Sequence, residues 1–246
     1  MKSVGIIGLG RFGKILANIL QKGYSISAYD LNDISPITNI NFYNLDKVLQ
    51  ERVIFIAVPI RNFESLIKNI SPKLKNGTTL IDVCSVKSYP VNIMLKNINK
   101  DIGIISTHPM FGPDSFSTNT KLKMMMHKVR DPENQFISWR NYFSNQGIDI
   151  IEMSPDDHDR LAARSQGITH FLGRMLKQFG IKKTQIDTQG FKDLLDLVEQ
   201  TCNDTWDLYT DLQLYNPYTL DVIAELLKSA ESLDKQLREI KNVEKK

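Results

Sequence analysis

The stretch Val4 to Gly13, VGIIGLGRFG, narrows the fold more than any other part of the chain. It reads as a short apolar strand that turns through Gly8, Gly10, Arg11, Phe12 and Gly13 into a helix with Ile15, Leu16, Ile19 and Leu20 at core spacing. The G-x-G-x-x-G spacing has a mechanical reason. Gly8 permits the tight turn, Gly10 lets a pyrophosphate approach the backbone, and Gly13 lets helix and strand pack closely. A second strand pattern, Tyr24 to Tyr29, ends at Asp30, about 20 residues past the glycines, where an acid accepts hydrogen bonds from a ribose 2′-OH and repels a 2′-phosphate. No Arg follows Asp30 in Leu31-Asn32-Asp33. The expected cofactor is therefore NAD rather than NADP.

Strand and helix patterns alternate as far as about residue 152. Arg52 to Pro59 and Thr78 to Val83 are apolar runs suited to strands covered on both faces. Gly103 to Thr107, Leu122 to Val129 and Ile148 to Met153 complete the strand set, and helices are expected at 62–70 and 133–145, the latter with Phe136, Trp139, Tyr142 and Phe143 inward. Ser154-Pro155-Asp156-Asp157 then opens a helix with an N-cap serine, proline at the first position and acids in the first turn. Beyond it only helical patterns follow, at 155–179, 190–214 and 218–241, broken at Gly180 and at Asn216-Pro217. The fold class is α/β: a doubly wound, mostly parallel sheet of the Rossmann type over residues 1–153, then a smaller all-helical domain over 154–246. A domain of that size with long apolar-faced helices completes its core by pairing, so a homodimer through the helical part is expected.

The net charge of +3 on 246 residues is small, and no basic stripe with interleaved aromatics suggests nucleic acid. The locally basic run Lys121 to Arg130 is expected as a solvated strand edge. Cys84 and Cys202 have neither disulfide nor metal spacing, and no metal is expected. No apolar run reaches the ~20 residues that span a bilayer. The chain enters its first strand without a signal peptide, and a cytoplasmic protein with no separate regulatory domain is the expectation.

Ligands of open α/β sheets lie beyond the carboxyl ends of the strands. Three such ends carry candidate groups: Val58-Pro59, Ser85 and His108. A neutral imidazole at His108 suits the removal of a hydroxyl proton near neutral pH, and Ser85 suits the orientation of either the imidazole or the reacting hydroxyl. Asp114, six residues on, suits a cationic group on a ligand. Gln166, His170 and Arg174 recur at i+4 and share a helix face; turned to a crevice, they suit a carboxylate. His158 and Arg160, near the helix start, are expected at the surface.

THPMFGPDS, DVCSVKSYP, SPDDHDRLAARSQGITHFLGR and GFKDLLDLVEQTCNDTWDLY strongly resemble the prephenate/arogenate dehydrogenase family, and the plant-type arogenate dehydrogenases most of all. The resemblance runs from Val4 to about Leu237. It implies NAD(P)-dependent oxidative decarboxylation in tyrosine biosynthesis, with arogenate giving tyrosine and prephenate giving 4-hydroxyphenylpyruvate. It also implies His108 as base, Ser85 near the reacting hydroxyl, and Asp114, Gln166, Thr169, His170, Arg174 and Lys87 as substrate contacts. The cofactor set is Gly8, Gly10, Arg11, Phe12, Gly13, Asp30, Val58, Pro59 and Ser85. An acid at Asp114 implies arogenate first, because it can pair with that substrate's ammonium. Asp193 to Leu227 holds no Lys or Arg, so the substrate carboxylates need other partners, such as Arg174, Arg164, Lys87 or a second subunit. Catalytically silent NAD binding, or the chemistry of β-hydroxyacid dehydrogenases and imine reductases, are the other classes weighed.

Overall fold

The computed structural model describes residues 2–32, 37–112 and 121–243. Two compact units make up the chain, residues 1–158 and 159–246. The division falls a few residues later than the sequence boundary at 153, because the first turn of the helix opened by Ser154 goes with the sheet.

The first unit holds an eight-stranded sheet: β1 (Ser3–Ile7), β2 (Ser25–Tyr29), β3 (Ile40–Phe42), β4 (Val53–Ile56), β5 (Thr79–Asp82), β6 (Gly103–Pro109), β7 (Lys123–Arg130) and β8 (Asp149–Glu152). Their order is β3-β2-β1-β4-β5-β6-β7-β8. All neighbours run parallel except β6 and β7. The order leaves β1 in both directions, so β1 and β4 flank the switch point, where doubly wound sheets take ligands. Helices α1 (Arg11–Leu20), α2 (Leu45–Val48), α3 (Phe63–Ile70), α4 (Ser88–Asn97) and α5 (Gln135–Asn145) connect the strands. In α5, Phe136, Trp139 and Phe143 are buried as expected, and Trp139 meets the Phe55 ring edge-on at 5.0 Å. Each such side chain contributes about 1.5–3 kcal/mol on burial. Tyr142 is partly buried, and its hydroxyl donates to the Ile19 carbonyl at 2.8 Å.

Two sequence expectations need correction here. The basic run at 121–130 is not a sheet edge. It forms β7, between β6 and β8, with Met124, Met125 and Met126 buried while Lys123 and Lys128 reach solvent. The strand β3 was not anticipated; three residues carry no periodicity, and only pairing with β2 makes Ile40–Phe42 a strand.

The helix α6 (Pro155–Ala162) leads through a π turn at Ala163–Gly167 into α7 (Ile168–Phe179). The Ser154 hydroxyl accepts the Asp157 N–H at 3.1 Å, as an N-cap should. Gly180 ends α7 in the left-handed conformation, φ 87°. The expected single helix at 190–214 is two, α8 (Gln189–Cys202) and α9 (Trp206–Tyr215), because the Thr205 side chain caps a new start by accepting the Leu208 N–H. The last helix, α10, spans Thr219–Val243. Within this unit α7 and α8 touch so closely that a Cβ on Gly173 would lie 1.9 Å from Thr201 Oγ1. No helix among the described residues is long and apolar enough to cross a membrane.

Candidate active site

The strands β1, β4, β5 and β6 are parallel neighbours, so their carboxyl ends share one edge of the sheet. The glycine loop opens at that edge. Gly8 has φ 98°, and a Cβ there would sit 2.5 Å from the Ala57 carbonyl oxygen; one on Gly13 would sit 2.2 Å from that of Gly8. No side chain fits at either place. A Cβ on Gly10 would meet nothing within 4 Å, so the loop faces open space there. Gly10 is also where α1 begins, with no capping side chain and no acid in the first turn. The positive end of the helix is left to an outside anion, which fits a pyrophosphate. Buried Gly13 and half-buried Phe12 hold the loop, and Arg11 is exposed.

Asp30 lies against this loop. Its Oδ2 accepts the Leu9 N–H at 2.7 Å, and its Oδ1 accepts the Asn32 N–H at 2.9 Å. The Asn32 side-chain amide also donates to Oδ1, at 3.3 Å, so the carboxylate is fixed beside the glycines with a lone pair on Oδ2 left over for a ribose hydroxyl. Val58 is half-buried and Pro59 exposed past the end of β4, where Pro59 starts a short 3₁₀ turn. Ser85 is half-buried in the loop between β5 and α4.

The strand β6 runs two residues further than its apolar pattern indicated and carries His108 inside the ladder, opposite Met125 of β7. His108 is 5% exposed. Three residues on, Phe111 packs against Phe12 with ring centres 6.0 Å apart, which ties the end of β6 to the glycine loop. Burial holds the His108 imidazole well below its ordinary pKa, and His158 and the Lys87 ammonium push it the same way. It is a neutral imidazole at physiological pH.

Lys87, expected from sequence among the substrate contacts, is turned into the core. Its side chain is wholly buried, and its ammonium donates to Asp82 Oδ1 and to the Thr107 carbonyl. Asp82 is equally buried. Burial pushes the Asp82 carboxyl up, against the opposing pull of Lys87. The pair braces the strand ends behind His108.

The sequence placed His158 at the surface, and this too is corrected. It is 4% exposed, and its Nε2 lies 2.7 Å from His108 Nδ1. The signal was present: His158 precedes Ala162 by four residues and so shares the buried face of α6.

In the helical unit, Gln166 falls in the π turn and His170 and Arg174 in α7, and all three are half-buried. Thr169 donates its hydroxyl to the Ser165 carbonyl at 2.9 Å. His170 is half-buried, its Nδ1 has no partner among the described residues, and burial lowers its pKa. Arg174 Nη2 donates to the Asp204 carbonyl, its guanidinium lies over the rings of Tyr209 and Trp206 at 5.3 and 5.7 Å, and its Nε has no hydrogen-bond partner among the described residues. It latches α7 to the α8–α9 turn. Arg164, the other arginine named for the substrate carboxylates, pairs with Glu225 at 2.9 Å. Asp114 lies outside the described residues.

An open doubly wound sheet with a glycine loop at its switch point, followed by a helical unit, puts the chain in the class of nucleotide-binding α/β proteins. Residues 25–124 match the family model described as prephenate dehydrogenase, nucleotide-binding domain, and residues 175–246 match one described as TYRAAT1-like, C-terminal domain. Arogenate dehydrogenase 1, chloroplastic, of Arabidopsis thaliana is 36% identical over 95% of this chain, and arogenate dehydrogenase 2 of the same plant is 32% identical, also over 95%. The chain spans 39% and 69% of the lengths of those two relatives. The chain belongs to the prephenate/arogenate dehydrogenase family. Two solved structures share its fold. Prephenate dehydrogenase from Aquifex aeolicus, in complex with hydroxyphenyl propionate and NAD+, has a TM-score of 0.75 at 20% identity, covering 98% of this chain and 92% of that one. Synechocystis arogenate dehydrogenase has a TM-score of 0.71 at 20% identity with the same coverage.

Proposed function

We propose that the chain catalyses oxidative decarboxylation of arogenate to tyrosine with NAD as hydride acceptor, with prephenate as the second substrate. The observation that carries this proposal is His108: a buried imidazole kept neutral at a strand end, joined through Phe111 and Phe12 to a glycine loop shaped for a dinucleotide. The family membership and the names of the plant relatives support the same choice. When bound, the nicotinamide accepts hydride from the ring carbon that bears the hydroxyl. His108 takes the hydroxyl proton as the carbonyl forms, and Ser85 orients that hydroxyl. Loss of the ring carboxylate as CO2 leaves its electron pair in the ring, which becomes aromatic, and the former carbonyl oxygen takes the proton back to give the phenol. Gly8, Gly10, Arg11, Phe12, Gly13, Val58 and Pro59 form the cofactor cradle in this proposal, with Asp30 on the ribose. Asp114 pairs with the arogenate ammonium. Gln166, Thr169 and His170 complete the substrate contacts, and His170 Nδ1, without a hydrogen-bond partner among the described residues, supports that assignment.

A homodimer through the helical unit belongs to the proposal. Leu214, Leu220, Leu233, Leu237 and Ile240 each expose more than half of their surface there, which favours a second copy as the cover. Light scattering that gives a monomer mass at working concentration would overturn it. A cytoplasmic location is proposed as well, although the two plant relatives are named as chloroplast proteins; fractionation of the source cells decides it.

The decisive experiment is a steady-state matrix of arogenate and prephenate against NAD and NADP, followed at 340 nm. Turnover is expected to be greatest with arogenate and NAD. A strong preference for prephenate would overturn the substrate assignment, and no turnover in any cell would overturn the dehydrogenase itself.

A further inference from the structure

We infer that His158 is the positioning residue that sets the tautomer of His108, taking a hydrogen bond from His108 Nδ1–H so that Nε2 is left as the basic atom. The inference rests on the dehydrogenase proposal above for its catalytic meaning, but its geometry stands alone.

The two ring nitrogens are 2.7 Å apart, with ring centres at 4.9 Å and planes 77° apart. Both rings are nearly sealed from solvent, 5% and 4% exposed. At that distance one proton must lie between the nitrogens, since two lone pairs or two N–H groups would repel. Two arrangements remain. If His158 donates, a neutral His108 carries its own proton on Nε2 and has no lone pair there to receive another. If His108 donates, Nε2 is bare and can take a hydroxyl proton. Only the second arrangement gives a base that acts away from the pair.

Burial and the charged surroundings keep His108 neutral before the reaction. Lys87, at the start of α4, holds its ammonium on the carbonyl of Thr107, next to His108, and Asp82 of β5 is paired to that ammonium. Facing His108 from β7 is Met125, which carries no charge. When His108 takes a proton, its Nδ1–H becomes a charge-assisted donor to His158, a bond about twice as strong as a neutral one. The partner therefore stabilises the protonated base more than the resting one. It also stops the ring from flipping about χ2, which the β6 ladder alone cannot do. His158 is placed by the Ser154 cap: its own N–H donates to the Ser154 carbonyl at 3.0 Å in the first turn of α6.

The test uses the full chain with ¹⁵N-labelled histidine and two variants. In the wild type at neutral pH, His108 is expected to show a protonated Nδ1 and a bare Nε2. His158→Leu removes the acceptor, and kcat is expected to fall about 10- to 100-fold while KM for NAD stays within about twofold. His158→Gln, which keeps an oxygen acceptor at similar reach, is expected to recover most of the rate, which a lost packing contact would not. A wild-type His108 with its proton on Nε2 and a bare Nδ1 would overturn the inference, as would a His158→Leu enzyme with unchanged kcat. If His158→Leu does not fold, the wild-type nitrogen spectrum decides by itself. A wild type inert on both substrates would sink the dehydrogenase proposal, and the nitrogen spectrum would still accept or reject the His108–His158 pairing.

Discussion

Replacing Lys87 by Met tests what the buried ion pair behind His108 is for. Both side chains of the Lys87–Asp82 pair have zero exposure. Removing the ammonium leaves a carboxylate in the core that keeps the Cys84 N–H at 3.1 Å, and takes the Lys87 donor from the Thr107 carbonyl. Breaking a buried pair by deleting one partner costs about 3–5 kcal/mol, a large share of the about 5–15 kcal/mol that holds a domain folded. At about 2–4 °C per kcal/mol for a unit of this size, the melting temperature should fall by about 6–20 °C. The informative comparison is the double variant Lys87→Met, Asp82→Leu. Burial already pushes Asp82 up more than Lys87 pulls it down, so the pair is expensive to desolvate. An apolar replacement of both should recover stability to within about 2 kcal/mol of wild type. Turnover should not return with it, because His108 loses both the brace at Thr107 and the nearby positive charge that opposes its protonation. Urea unfolding followed by circular dichroism, alongside initial rates, reads both. A single variant that loses less than about 1 kcal/mol would refute the cost assigned to the broken pair, and a double variant as active as wild type would refute the idea that the pair serves the base rather than the fold.

Three further outcomes are expected. The acid limb of kcat/KM should lie below about pH 6.5, the ordinary value for histidine, because burial, His158 and Lys87 all hold His108 down; a limb at or above that value removes His108 as the base. The same shift makes stability fall as pH drops through about 6.5, where the unfolded chain takes a proton that the folded one refuses, and level off below the folded value; urea midpoints across the acid range check the sign. Asp30→Asn keeps an acceptor for the Leu9 N–H but loses the charge that repels a 2′-phosphate, so the NADP-to-NAD ratio of kcat/KM should rise about tenfold or more, and an unchanged ratio would move specificity elsewhere. Gly173→Ala should destabilise by about 1–3 kcal/mol, since its methyl would sit 1.9 Å from Thr201 Oγ1; a thermal melt equal to wild type would mean that α7 and α8 can separate at no cost.

What could be read from sequence and what could not divide along a physical line. The glycine loop was legible because its constraints are local: a positive φ at Gly8 and a carbonyl against Gly13 admit one residue type each. Helix ends at Ser154, Gly180 and Asn216 were legible for the same reason, since each cap satisfies its own chain within a few residues. The π turn was not legible. Its Gly167 carbonyl accepts from Gln213 of α9, 46 residues away, at 3.1 Å, a contact that no local pattern announces. The basic run of β7 misled because hydropathy weighs Lys123 and Lys128 against three methionines, while burial is decided by the strands on either side. His158 is the sharpest case. A histidine in the first turn of a helix after two aspartates reads as solvated unless its i+4 spacing to Ala162 is weighed, and its partner is another imidazole fifty positions earlier. A base whose proton inventory depends on such a partner cannot be identified completely by a motif around residue 108. The motif supplies the nitrogen, and the distant turn of α6 decides which nitrogen is free to react.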